Sequence, residues 1–146
     1  MEATEVRSRA DTLACIYENV KMGTDSIVNL LPKVEDSRLK SDMSVQLSGY
    51  EEFATRARNE LKKMGIEAEE KGFMTKTMAK VGMEFNTMMD TSLSHIAEMM
   101  INGATMGIIH IEKQLNTADP SPETKKLAEE ILDFEKSTSD NLARFL

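Results

Sequence analysis

The chain has 146 residues, 40% hydrophobic and 29% charged, with a formal net charge of −7. That length suits one domain, residues 1–146, with a core large enough to fold without disulfides or metal. The charge disfavours unspecific attraction to nucleic acid or an anionic membrane, and the single Cys15 excludes an intramolecular disulfide and points to a reducing, cytoplasmic compartment.

The N-terminal residues, Met1 to Arg7, lack the basic segment and apolar run of a signal peptide. From about Thr4 the spacing predicts a first helix reaching Leu31. Val6, Ala10, Leu13, Tyr17, Val20, Thr24, Ile27 and Leu31 recur in alternating steps of four and three, the seam of a helix packed along its neighbours. Pro32 stops it, because proline has no N–H to continue the ladder. A second helix is expected from Asp36 or Ser37 to Met64, with Met43, Leu47, Tyr50, Ala54, Ala57, Leu61 and Met64 as its seam. Lys62 and Lys63 suit the negative end of its dipole, and Gly65 and Ile66 resemble a C-terminal cap. Arg56, Arg58, Lys62 and Lys63 are interrupted by Glu51, Glu52 and Glu60, so they read as a solvated face and not as a nucleic-acid site.

Residues 65–72 are acidic and irregular and read as a connection. For Phe73 to Met83 two arrangements fit: a separate short helix, or the start of one long third helix. The third main helix is expected over about Glu84 to Asn116. Met89, Leu93, Ile96, Ala97, Met100, Gly103, Ala104, Gly107, Ile108 and Ile111 share one side, and Met88, Met99, Met106 and Ile101 widen it. An apolar arc covering more than half the circumference exceeds the roughly 100° stripe of a surface helix, so it calls for cover on two sides, by residues 73–83 or by a second subunit. His95, Glu98, Asn102 and His110 argue against a membrane span. The last helix opens with Ser121 as N-cap, Pro122 in the first position and Glu123 at the positive dipole end. Leu127, Ile131, Phe134, Thr138, Asn141 or Leu142, and Phe145 form its seam. Four amphipathic helices with short connections make an antiparallel bundle.

A bundle invites a test for a di-iron centre, which needs inward-facing Glu residues and two Glu-x-x-His pairs. Ser92 precedes His95 by three and Gly107 precedes His110 by three, so both pairs are missing; the nearest remnant is reversed, His95 to Glu98. Glu18, Glu51 or Glu52, Glu98 and Glu135 lie near helix midpoints but read as solvated, with Leu13, Val20, Ala54, Ile96 and Phe134 facing inward. His95 and Glu98 are the candidate metal ligands, and an intrahelical ion pair is the plainer reading of them. His110 reads as a rim residue. Eight of the twelve Met residues fall between Met74 and Met106; thioethers bind Cu(I), but they also fill cores and adaptable surfaces. Gly103 and Gly107, four apart in mid-helix, point to close packing within the bundle or across a dimer. No Gly-rich phosphate loop, CxxC, HExxH or GxSxG occurs.

Two stretches, Ile16 to Gly23 on the first helix and Ser94 to Gly107 on the third, resemble ferritin-like four-helix bundles, in particular a group of small uncharacterised ferritin-like proteins from Firmicutes. The resemblance implies a ferritin-like bundle with iron handling, but the missing Glu-x-x-His pairs depart from the iron pattern. The leading expectation is a non-enzymatic homo-oligomer, a dimer, whose third main helix forms the contact through Met99, Met100, Gly103, Met106 and Gly107. Two alternatives stand beside it. One is an atypical ferritin-like protein binding iron or copper through His95 and Glu98; the other is a Met-lined pocket for a small apolar ligand.

Overall fold

The computed structural model describes residues 3–68 and 89–146, with side chains from residue 10. Among them the chain is all-helical, with no strand. The helices are α1 (Ala3–Leu30), α2 (Ser37–Lys63), α3 (Leu93–Thr117) and α4 (Pro122–Leu142). Two short 3-10 turns, Leu31–Lys33 and Ala143–Phe145, follow α1 and α4.

Each boundary has a local cause. Pro32 lies in the first 3-10 turn, where its missing N–H costs nothing, and Val34 N–H closes that turn on the Leu31 carbonyl at 3.2 Å. Asp36 then caps α2, its carboxylate accepting from the N–H groups of Arg38 and Leu39 at 2.9 and 3.1 Å. Those bonds and the Arg38 guanidinium hold the Asp36 carboxyl below its ordinary pKa. At the other end Gly65 takes the left-handed conformation, φ +78°. Its N–H reaches the Lys62 carbonyl while that of Ile66 reaches Leu61, both at 2.9 Å, which is a Schellman motif. The Oγ atoms of Ser92 and Ser121 cap α3 and α4, accepting from His95 and Thr124 N–H at 3.3 Å.

The helices pack as two sequential pairs, α1 with α2 and α3 with α4, joined chiefly through α1 against α3. The core comprises Leu13, Ile16, Tyr17, Val20, Ile27 and Leu30 of α1 with Leu39, Met43, Ala57 and Leu61 of α2; Ile96, Ala97 and Ile111 of α3 and Leu127, Ala128, Ile131 and Leu142 of α4 complete it. Each large aliphatic side chain so buried contributes roughly 1.5–3 kcal/mol relative to exposure. Polar ties cross the helices at the edges. Gln114 donates to Thr12 Oγ1 at 3.3 Å, Arg58 donates to the Tyr17 hydroxyl at 3.3 Å, and Arg56 pairs with Glu130. Arg144 pairs with Asp42 at 2.6 Å, fastening the C-terminal turn to α2.

Three expectations need correction. The third main helix does not run through residues 89–92, because Ser92 caps α3 at Leu93; Met89 lies before the cap and is 96% exposed. Leu31 and Leu47 are only half-buried, while Leu30 and Gln46 take the interior positions. Glu135 is not solvated: it is 2% exposed and faces the interior, while Phe134 is half-buried. The question of residues 73–83, and the placement of Met88, lie outside the described residues.

Candidate functional site

At the level of Glu135 the four helices enclose a cavity of about 180 Å³. An apolar cavity of about 150 Å³ already accommodates benzene. The α1 wall runs from Asn19 through Met22, Gly23 and Ser26 to Ile27 and Leu30. Gln46 and Tyr50 come from α2, and Glu135 and Thr138 from α4. On α3, Met99, Met100, Ala104 and Gly107 line the cavity, with Asn102, Gly103, Met106 and His110 as its exposed outer lip.

Glu135 and Tyr50 form the polar centre. The Tyr50 hydroxyl donates to Glu135 Oε1 at 3.5 Å, the outer limit of a hydrogen bond. No group among the described residues donates to Glu135 Oε2 or to Gln46 Oε1, though both atoms are buried. Burial pushes the Glu135 carboxyl up to about 8, with the Tyr50 hydrogen bond opposing the shift. Burial likewise raises the Tyr50 hydroxyl, and the charge and hydrogen bonding of Glu135 add to that. Glu135 is therefore mostly a neutral acid at pH 7.

Two mid-helix glycines make this centre fit. A Cβ on Gly107 would stand 2.7 and 2.8 Å from the Glu135 carboxyl oxygens, inside contact distance. A Cβ on Gly23 would stand 2.8 Å from the Tyr50 ring, which also meets Phe134 in an edge-on contact at 5.0 Å. The requirement at Gly107 is thus a carboxyl group and not a neighbouring helix backbone. Gly103 differs, because a Cβ there meets nothing within 4 Å among the described residues.

Met99, Met100, Gly103, Met106 and Gly107, singled out as a contact face, all line the cavity. His95 and Glu98 do not. They sit near the start of α3, Glu98 is exposed, and no ion pair joins the two among the described residues. The Asp90 carboxyl is held below its ordinary pKa chiefly by hydrogen bonds from Ser92, and His95 adds the smallest of the contributions. Glu135, Tyr50 and Gln46 were missed as a site. Their signal was present: Ile131, Glu135, Thr138 and Leu142 keep the seam period, as do Met43, Gln46 and Tyr50.

Cys15 is half-buried, and burial and the Glu18 charge raise its thiol pKa against the hydrogen bond from Asn19. Among the described residues Glu135 is the one carboxylate lining the cavity, His110 is at its lip, and no group of three or more His, Cys, Asp or Glu gathers. No described helix is long and apolar enough to cross a membrane. The chain matches no protein-family model, and neither the curated proteins nor the solved structures contain a significant match.

Proposed function

We propose that this chain is a non-enzymatic binding protein that holds a small, largely apolar molecule in the cavity between its four helices. The observation that carries this reading is the cavity itself, large enough for a benzene-sized guest and bordered by Met22, Met99, Met100 and Met106 with Ile27 and Leu30. Thioether side chains are polarizable and unbranched, so they adjust to a guest without a large strain cost. We further take the bundle to be antiparallel and ferritin-like, with the cavity replacing the metal centre that such bundles carry. The test is calorimetric titration with compact aromatic molecules, on the native chain and on Gly103→Leu, whose side chain would intrude on the cavity lip. Saturable one-to-one binding, weakened at least about tenfold by the substitution, is the expected result. Absence of binding across the series contradicts the reading.

A second reading, a homodimer formed through α3, is favoured by one observation. Met106 and Ile109 are 43% and 46% exposed on α3, next to the cavity lip. Sedimentation velocity should then show a dimer that Met106→Lys with Ile109→Lys converts to monomer. A native chain that stays monomeric at high concentration excludes this reading.

A further inference from the structure

Glu135 is buried to 2% exposure, and its Oε2 receives no hydrogen bond from any described residue. Gln46 Oε1, another buried oxygen without a donor, belongs to a residue on the same cavity. Gln46 Oε1 accepts hydrogen bonds, and Glu135 Oε2 does so once the carboxyl has given up its proton. Among the described residues neither Lys nor Arg lines the cavity and no ion pair involves Glu135. An unpaired carboxyl in such surroundings is costly, and an apolar guest alone leaves that cost in place. A guest bringing N–H donors and positive charge removes it.

From this geometry we infer that the natural ligand is a small primary amine, its ammonium group seated on Glu135 and its hydrocarbon body packed against Met99, Met100 and Ile27. This rests on the cavity being a ligand site, as proposed above. The ammonium donates to Glu135 Oε2, while the Tyr50 hydroxyl keeps its contact with Oε1. The net charge of −7 also favours approach of a cation over an anion.

The acid is mostly protonated before the amine arrives, so the ion pair forms with loss of that proton to solvent. Among the described residues few other titratable groups face the site. Tyr50 does so from α2 and His110 from the lip on α3, while the described lining residues of α1 are uncharged and α4 adds only Thr138. Amine affinity therefore rises with pH from 6 towards 8, by up to about tenfold per pH unit.

The experiment compares benzylamine with benzyl alcohol, nearly equal in size and shape, by isothermal titration calorimetry on the native chain and on Glu135→Gln. The expected result is binding of both, with the amine at least about tenfold tighter and that preference lost in Glu135→Gln. Equal binding of the two, or a preference for the alcohol, overturns the amine inference while leaving the pocket in place. A preference for the amine that survives Glu135→Gln also overturns it. Failure of both molecules to bind removes the pocket reading and this inference together. If Glu135→Gln does not fold, titrations of the native chain in two buffers of different ionisation enthalpy decide. Release of about one proton per amine bound near pH 7 supports the ion pair, and release of none overturns it.

Discussion

A carboxylic acid kept from water without a cationic partner stays protonated well above the range in which carboxyls normally ionise, and Glu135 meets that description. The consequence for stability has a definite sign. An unfolded Glu loses its proton near pH 4.3, whereas folded Glu135 holds it to about 8. Between those values the folded chain binds a proton that the unfolded chain has lost, so stability falls as pH rises, by at most about 1.4 kcal/mol per pH unit. Above the folded midpoint both states are ionised and the loss is complete. Glu135→Gln, similar in shape and unable to ionise, should therefore gain stability relative to the native chain as pH rises from about 5 to 8. Urea unfolding of both proteins across that range measures the difference, in which contributions from the other titrating groups cancel. Parallel curves would mean that Glu135 is solvated after all.

At the scale of the element, α3 carries two glycines with opposite roles. Glycine in mid-helix costs about 1 kcal/mol relative to alanine. At Gly103 no described residue stands near an added Cβ, so Gly103→Ala should stabilise the fold by about that amount. At Gly107 the Cβ would meet the Glu135 carboxyl, so Gly107→Ala should give no such gain, and should recover it in a Glu135→Ala background. Thermal or urea unfolding of the four variants closes the cycle. The helix ends were legible in the sequence because each has local chemistry: Asp36, the pair Gly65 and Ile66, Ser121 with Pro122. The start of α3 was not, since an apolar run through Met88 and Met89 outweighed the cap signal of Ser92. The interior of α4 failed for the same reason. Phe134 and Glu135 both fit the seam, and hydropathy chose Phe134; Leu47 displaced Gln46 in the same way. Polar residues that keep the period of a buried seam are where hydropathy misleads and where function concentrates.

For the molecule as a whole, the described helices build a bundle with a cavity at its centre. Gly23 admits the Tyr50 ring, Gly107 admits the Glu135 carboxyl, and the methionines of α3 border the remaining space. The all-helical class and the four main helices could be read from spacing and composition, and a Met-lined pocket stood only as one alternative to a contact face. The polar centre could not, because it depends on which residues of α2 and α4 meet across the bundle, and pattern within one helix carries no information on that. The most direct measurement is the pH titration of the Glu135 carboxyl carbon by nuclear magnetic resonance, on the chain alone and saturated with benzylamine. The account predicts a midpoint near 8 for the chain alone, falling below the ordinary carboxylate range of about 4 once the amine is bound. A midpoint in that ordinary range without ligand, or one that benzylamine leaves unmoved, would contradict it.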